Sequence, residues 1–363
     1  MKKAAMRKSA STTPRVAARG LSLIELLVAM AISLVIVIAA AYVYLGTREA
    51  HRALDRASTS METGTFALQL LGREIENAGF YPAIVPPNAP DETQKLMYDT
   101  YPPLPNTTPP SGTDWAAPAA VYQTAIYGCS GGRFDPKTAT CPVPDESKPD
   151  SIVLNHFSSD SMGNVLGQHA DCEGGDPASK DGNMQRSWNT GDPPSSYDNT
   201  LPPGLPIFVS NRYGLDDVTT TIVDGVAIQT NSLVCSGNAN GYFGAVAIYQ
   251  PLLAGVIDLR FKYGIYDSET TLAPTQFYAA SDMAALPNLT VNGVVLTPWA
   301  RVTAVRVCML TRTLGGNTRL PDDAAAKQQY LDCDDTAHDQ PKGDTIRRHV
   351  QVFGVRNALR NSY

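Results

Sequence analysis

The hydrophobic pattern of the chain is dominated by one uncharged apolar run near the N-terminus. It occupies residues 26–45 and reads LLVAMAISLVIVIAAAYVYL, interrupted by Ser33, Tyr42 and Tyr44. About 20 residues of helix rise roughly 30 Å, which is the hydrocarbon thickness of a bilayer. The run therefore predicts a membrane-spanning helix, with the basic residues before it on the cytoplasmic side.

A helical pattern continues beyond the apolar run. Small or apolar residues recur at spacings of three, four or seven, which predicts one stripe along a helix. We expect a single helix over residues 21–78, about 87 Å long, softened by Gly46 and Gly64 and ended by Gly79 and Pro82. Its second half can bury the stripe under a head domain. The stripe consists of Ala50, Leu54, Ala57, Met61, Leu68, Leu71, Ile75 and Ala78.

The remainder shows the period-two alternation of β-strands. Residues 256–266 are the clearest case, because Leu259, Phe261 and Tyr263 alternate with charged residues. The predicted fold is α+β, a long N-terminal helix followed by an antiparallel β-rich head. Further strands are expected at 151–157, 205–210, 218–230, 242–249, 302–311 and 349–356, and a short helix at 324–331.

Two stretches lack either pattern. Prolines recur throughout residues 82–118, and at that density they exclude helix interiors and central strands. Residues 173–206 are similarly rich in Gly, Asp, Pro and Ser. We expect a long surface excursion or linker in the proline-rich stretch.

Charge is distributed unevenly along the chain. The first 20 residues carry six basic side chains and no acid, which leaves a net charge of −12 for the remainder of a chain whose total is −6. An acidic remainder argues against nucleic-acid binding through a broad basic face.

All six cysteines lie beyond the apolar run, and no two form a C-x-x-C pair. Zinc or thioredoxin-type chemistry therefore has little support. An even number of cysteines in a translocated segment favours disulfides formed in an oxidising compartment. Six cysteines allow 15 pairings, so the sequence alone leaves the connectivity open.

Residues 128–132, GCSGG, fit the G-x-S-x-G pattern of a hydrolase nucleophile, which would be Ser130. That pattern needs a strand before it and a helix after it. A short strand at 125–127 is possible, but RFDPKT follows and does not predict a helix. We favour a glycine-rich turn closed by Cys129, with a membrane-tethered hydrolase as the alternative.

Metal and cofactor sites have little support in the sequence. The histidines show no ligand spacing such as H-E-x-x-H, and no glycine-rich phosphate-binding motif is present. An acidic cluster could bind calcium but lacks the EF-hand pattern, so a solvated turn is favoured. We expect no cofactor, no metal and no catalysis. The histidines are His51, His156, His169, His338 and His349, and the acidic cluster consists of Asp332, Asp334, Asp335 and Asp339.

The residues just before the apolar run distinguish three interpretations of the N-terminus. A signal peptide could be cut after Ala41, but the run is long for one, and a plain membrane anchor leaves the preceding sequence unexplained. Residues 20–25, GLSLIE, resemble the type IV prepilin motif. The resemblance implies cleavage after Gly20 by a dedicated peptidase and methylation of the new N-terminus at Leu21, with the apolar helix retained.

Glu25 has a physical role under this interpretation. A carboxylate beside an apolar membrane segment is costly, and such a residue is functional by default. The resemblance implies that Glu25 pairs with the α-amine of Leu21 in a neighbouring subunit and sets the axial register. The alternative is an interfacial glutamate that reaches the lipid headgroups.

The resemblance extends into the head. Residues 255–267, 299–312 and 347–361 are similar to C-terminal blocks of PilW-type minor pilins, and Cys172 and Cys235 lie in segments similar to that group. We expect the disulfides Cys129–Cys141 and Cys308–Cys333, whose members are neighbours in sequence, and Cys172–Cys235, which the resemblance implies.

The resemblance implies a minor pilin that initiates assembly or forms part of a tip complex. The partners implied are other minor pilins, the major pilin, the prepilin peptidase, membrane lipid before assembly and a large tip adhesin. The chain would sit in the inner membrane with its head in the periplasm, and later in the pilus at the cell surface. A minor pseudopilin of a type II secretion system is the alternative.

The patterns and the resemblance together divide the chain into five expected segments. They are 1–20, leader; 21–45, transmembrane and fibre-core helix; 46–81, amphipathic continuation; 82–120, proline-rich excursion; and 121–363, β-rich head.

Overall fold

The computed structural model describes most of the helix and much of the head. The described residues are 22–80, 121, 124–136, 138, 140–158, 171–175, 207–216, 219–223, 226–238, 248–268, 271, 273–291, 294–314, 329–340 and 344–357. The chain divides into two compact units, Met1–Leu54 and Asp55–Tyr363.

Helix α1 runs from Leu23 to Asn77 and begins in the first unit. Its segment Leu23–Arg48 is long and apolar enough to cross a membrane, and none of it is buried within the chain. Large apolar side chains such as Leu27, Val35 and Tyr42 are more than half exposed. A helix that is apolar on all sides requires lipid or other protein around it.

The second unit contains fifteen short strands within its described residues. They alternate with two single-turn 3-10 segments, Met283–Ala285 and Pro298–Arg301. The strands are β1 (Ile126–Cys129), β2 (Ser151–Ser158), β3 (Ile207–Leu215), β4 (Thr219–Val223), β5 (Val226–Thr230), β6 (Ser232–Ser236), β7 (Gln250–Ala254), β8 (Val256–Ile265), β9 (Gln276–Tyr278), β10 (Leu289–Val291), β11 (Val294–Leu296), β12 (Val302–Leu314), β13 (Gln329–Leu331), β14 (Ala337–Asp339) and β15 (Asp344–Gly354).

Two antiparallel sheets carry the head. A five-stranded sheet has the order β1-β2-β3-β6-β7, and a four-stranded sheet has the order β15-β12-β8-β9. Three separate hairpins are formed by β4–β5, β10–β11 and β13–β14. The predicted α+β fold, a long N-terminal helix followed by an antiparallel β-rich head, is confirmed.

The core lies between the two sheets and the last turns of α1. In β8, Leu259, Phe261 and Tyr263 are buried, as their alternation with charged residues predicts. They share one apolar cluster with Leu71 and Ile75 of α1 and with residues of the five-stranded sheet. Each Å² of apolar surface removed from water stabilises the folded state by about 25 cal/mol. This cluster is therefore the main stabilising element of the head.

Glycines allow α1 to approach the four-stranded sheet closely. A Cβ on Gly72 would collide with the ring of Phe353, and one on Gly64 would collide with the ring of His349. Nearby, the Ser60 Oγ and Thr311 Oγ1 atoms are 2.9 Å apart, and Thr311 Oγ1 lies 3.0 Å from Nε2 of His349. The helix is thus fixed to β12 and β15 by ring packing and by hydroxyl hydrogen bonds.

The helix differs in detail from the sequence expectation. Leu68, Leu71, Ile75 and Ala78 are buried as expected, but Leu54 and Met61 are 66% and 60% exposed. Helical spacing identifies the side of the helix on which a residue lies, not how far the covering head extends. The side chains of Ala50 and Ala57 lie outside the description. The helix ends at Asn77, followed by Gly79 at φ +76°, while Pro82 lies outside the described residues.

Three strand or helix predictions were wrong in part. The stretch 218–230 forms the hairpin β4–β5 rather than one strand. Residues 248–249 are not in a strand, and 242–247 lie outside the described residues. The helix predicted at 324–331 is wrong at its end, because Gln329–Leu331 is strand β13, held extended by pairing with β14. The proline-rich stretch 82–118 and residues 176–206 lie outside the described residues.

The contact between Gly72 and Phe353 can be tested by adding one methyl group. Gly72→Ala is expected to lower the free energy of unfolding of the head by about 1 kcal/mol. The collision of the new methyl group with Phe353 destabilises the head by more than the higher helix propensity of alanine stabilises it. Gly46→Ala is the control, since its Cβ would meet nothing within 4 Å. Urea unfolding of both variants in detergent checks this, and equal stability of the two would contradict the close contact.

Candidate assembly site

The residues that follow the proposed cleavage point form a capping box at the start of α1. The Ser22 backbone N–H and Oγ–H donate to Oε2 of Glu25 at 2.9 and 3.1 Å, and the Glu25 N–H lies 3.3 Å from Ser22 Oγ. This reciprocal arrangement satisfies donors that the first turn of a helix leaves free. Gly20 and Leu21 lie outside the described residues.

In the capping box, Ser22 of the same chain is a hydrogen-bond partner of Glu25, in addition to the amine that the resemblance implies. Ser22 is absent from the sequence-based expectations, although Ser22-Leu23-Ile24-Glu25 has the Ser-x-x-Glu spacing that signals such a cap. The helix N-terminus also favours a negative charge at this position. Oε1 of Glu25 forms no hydrogen bond within the described part of the chain, so it remains able to accept one from another molecule.

Three disulfides fasten the head. They join Cys129 to Cys141, Cys172 to Cys235 and Cys308 to Cys333, with Cα–Cα distances of 5.3, 6.3 and 5.7 Å. These are the three pairs expected above, and each Cα separation lies within the usual range for a disulfide.

The Cys172–Cys235 bond is connected to the end of α1 by side-chain hydrogen bonds. Asn211 of β3 accepts the backbone N–H of Cys172 at 3.0 Å and donates through Nδ2 to Oε2 of Glu74, also at 3.0 Å. The Asn211 residue is 3% exposed. Because a buried amide is stable only when its polar atoms are paired, this short chain of bonds specifies how α1 and β3 lie together.

The Cys308–Cys333 bond holds the hairpin β13–β14 over the four-stranded sheet. Cys308, Leu310, Cys333 and Ile346 form a small buried cluster, with Ile257 and Tyr330 against it. Around that cluster, Asp334 lies 3.7 Å from Lys262, and Asp335 pairs with Arg348. The hydrogen bond from Arg348 lowers the pKa of the Asp335 carboxyl.

The acidic cluster of this hairpin is used in local contacts. Oδ1 of Asp332 accepts the backbone N–H groups of Asp334 and Thr336, and its Oδ2 lies 2.7 Å from Nε2 of His338. Across the described stretches, no group of three or more His, Cys, Asp or Glu side chains is arranged to hold a metal ion. These contacts are those of a polar turn.

The remaining histidines are in structural positions where the structure describes them. His156 lies in β2, and burial lowers its pKa. His349 contacts Thr311, and burial again lowers its pKa. His51 is exposed on α1, and His169 lies outside the described residues.

The G-x-S-x-G segment is a turn. Ser130 follows β1, and its Oγ accepts the backbone N–H of Ser281 at 3.0 Å. Gly131 and Gly132 have φ values of +66° and +155°, and residues 130–136 contain no helix. The N–H of Gly131 donates to Asp150 at 2.9 Å. A strand followed by an irregular turn lacks the strand–turn–helix context of a nucleophile elbow.

The stabilising effect of the Cys308–Cys333 disulfide, which is called here the staple, can be tested by removing it. Replacing Cys308 and Cys333 together by alanine is expected to lower the free energy of unfolding by about 3 kcal/mol, because the bond joins positions 25 residues apart. Backbone amides of β13 and β14 should then exchange hydrogen for deuterium faster. The matched control replaces Cys129 and Cys141, which lie 12 residues apart in another part of the head. Unchanged exchange in β13 and β14 would show that the staple does not hold the hairpin.

Comparison with known families supports the resemblance in two separate segments. Residues 15–41 match the prokaryotic N-terminal methylation motif, and residues 213–361 match the family described as Type IV Pilus-assembly protein W, or PilW. The first match contains Gly20, Leu21 and Glu25, and the second contains all three C-terminal blocks identified in the sequence.

One solved structure is similar to the chain at a low level. It is a type IV-like pilin from Thermus thermophilus, with 11% identity, a TM-score of 0.34, and coverage of 84% of this chain and 97% of that one. This similarity is too low to support a conclusion. No curated protein sequence matches the chain. The two family matches nevertheless agree with the N-terminal motif and the C-terminal blocks: the chain resembles a PilW-like type IV pilin that carries a prepilin motif.

Proposed function

We propose that the chain is a minor pilin of a type IV pilus, cut after Gly20, methylated at Leu21 and retained in the membrane by its apolar helix until assembly. The proposal is carried by the start of α1. Glu25 is the only charged residue from Leu21 to Thr47. It lies in the first turn of α1, at the start of the apolar segment Leu23–Arg48, none of which is buried within the chain. A lone carboxylate in that position requires a cationic partner when lipid or protein surrounds it.

The geometry of Glu25 accommodates such a partner. Oε2 takes both bonds from Ser22, while Oε1 is without a hydrogen bond in the described chain. Cleavage after Gly20 creates an α-amine at Leu21, and methylation leaves its positive charge in place. An amine from a neighbouring subunit can bind Oε1 without breaking the capping box, and this pairing would set the axial register of the fibre.

A minor role fits the size of the head. A bulky head packs poorly in repeated rows along a fibre, so the subunit suits a position at or near an end. The proposed partners are other minor pilins, the major pilin and a large tip adhesin, with the prepilin peptidase acting earlier. The proposed location is the inner membrane, N-terminus in the cytoplasm and head in the periplasm, and then the assembled pilus.

Processing can be tested by intact mass. Protein extracted from membranes should begin at an N-methylated Leu21. Gly20→Phe should leave the precursor uncut, whereas Gly46→Ala, which changes a glycine within α1, should be processed normally. A mature N-terminus at Tyr42 would show that the apolar run is a removable signal peptide.

Assembly can be tested at the capping box. Glu25→Leu should enter the membrane and be cleaved, but it should fail to join partner minor pilins, because the neighbouring amine loses its carboxylate. Since the subunit is scarce and acts at initiation, fewer pili are expected rather than fragile ones.

Two further variants separate charge from reach and from capping. Glu25→Asp should restore function in part, because its carboxylate has a shorter reach. Ser22→Ala is the matched variant that keeps the carboxylate and removes only the side-chain cap, so its defect should be milder than that of Glu25→Leu. Surface pili are counted and partner pilins are pulled down for each variant.

The same variants separate the alternatives. Normal pilus number and normal complexes with Glu25→Leu would exclude amine pairing in this subunit. Lost protein secretion with unchanged pili would favour a pseudopilin of a type II secretion system instead.

A further inference from the structure

The four-stranded sheet has two chemically different faces. One face carries Phe353 and His349 and packs against α1. The opposite face, called here the outer face, carries the alternate residues of β12, because Val305 and Val307 point into the core while Arg306 lies between them. The strand register places Arg306 between Val352 of β15 and Lys262 of β8.

The hairpin β13–β14 covers part of the outer face and shows what this face binds. The hairpin residues Cys333 and Tyr330 pack against Leu310 and Ile346 of the sheet. Charge contact is made by two carboxylates of the hairpin, which pair with Lys262 and Arg348 of the sheet. The covering segment is therefore acidic at its rim and apolar at its centre, and the sheet beneath it is basic and apolar.

The next part of the outer face is also apolar with a basic residue, and its apolar side chains are partly exposed among the described residues. Val350 and Val352 are 40% and 52% exposed, and Phe277 on β9 is 38% exposed. Beside them a Cβ on Gly354 would meet nothing within 4 Å. Arg306 forms no ion pair with any described residue. We name this surface, formed by Phe277, Arg306, Val350, Val352 and Gly354, the open end.

The open end also lies along an edge strand. β15 pairs only with β12 in the described structure, and it is 11 residues long. Natural edge strands are usually short, or are protected by lysine, proline or a bulge. The Gln340 side chain bonds both main-chain groups of Ile346 near the start of β15. An extended segment could pair with the edge of β15 beyond that point, beside the exposed valines, as in strand addition.

We propose that the open end docks an acidic, extended segment of another protein, with its apolar side chains on Val350 and Val352 and a carboxylate on Arg306. The charge is complementary in the same sense as in the hairpin already seated beside it. A nucleic acid fits less well, because the valines offer it no charge and the head is acidic overall. This partner site is independent of whether the chain acts in pilus initiation.

A defined probe tests the proposal on the full mature chain in detergent. The probe is a short fluorescent peptide in which glutamate alternates with valine, and its counterpart has lysine in place of glutamate. Fluorescence anisotropy should show binding of the glutamate peptide, weakening as ionic strength rises, and none of the lysine peptide. Arg306→Glu should weaken binding by at least about tenfold.

A matched variant separates the open end from general charge. Arg347→Glu makes the same change in net charge on the adjacent strand, but Arg347 lies on the face opposite to Val350 and Val352, so binding should persist. Val352→Ser should also weaken binding, with the fold checked by unfolding and by an intact Cys308–Cys333 bond. Equal losses in Arg306→Glu and Arg347→Glu, no binding of the glutamate peptide, or tighter binding of a single-stranded DNA oligonucleotide at the same site would each overturn the proposal.

Discussion

The close approach of α1 to β15 is the contact on which the rest of the head depends. Gly64 and Gly72 leave room for the rings of His349 and Phe353, and no larger residue fits there without displacement. β15 pairs with β12 from Ala304 to Leu314, and β12 pairs in turn with β8. The position of the helix is therefore transmitted across the whole four-stranded sheet.

A third glycine continues this chain of contacts into the other sheet. A Cβ on Gly128 in β1 would collide with the ring of Tyr263 in β8, which also packs against Trp299 at 4.9 Å between ring centroids. Aromatic rings thus fill the spaces that small residues leave, first at the helix and then between the sheets. Cores of this kind are sensitive to added volume, because little free space remains for a displaced ring.

The sequence predicts the elements that have strong periodicity or a specific motif. Alternation predicts β8, the strands expected at 302–311 and 349–356 overlap β12 and the second half of β15, and the long apolar run with its stripe predicts the helix. The sequence pattern cannot predict where the head stops covering the helix, which is why Leu54 and Met61 are exposed although they were expected to be buried. The link from Glu74 to Asn211 joins residues 137 positions apart, and no local pattern reports such a pair. The Ser22 cap is the opposite case, since its spacing is local and visible in the printed sequence.

The candidate site follows the same division. The motif around Gly20 and Glu25 is a short local signal, so its chemistry can be inferred without coordinates. The outer face of the sheet cannot, because Lys262, Arg306 and Val352 become neighbours only through strand register. Charge counted along the sequence also obscures this basic surface within an acidic head.

The staple between Cys308 and Cys333 imposes an order of events on the molecule. Thiols are oxidised to disulfides outside the reducing cytosol, so in the proposed location the Cys308–Cys333 bond would form only after the head has crossed the membrane. Until then, nothing covalent holds the hairpin over Leu310 and Ile346, and the sheet beneath it can present an unfinished surface. Under that proposal, oxidation of Cys308 and Cys333 would be a maturation step, after which the hairpin and the sheet beneath it have a single defined arrangement.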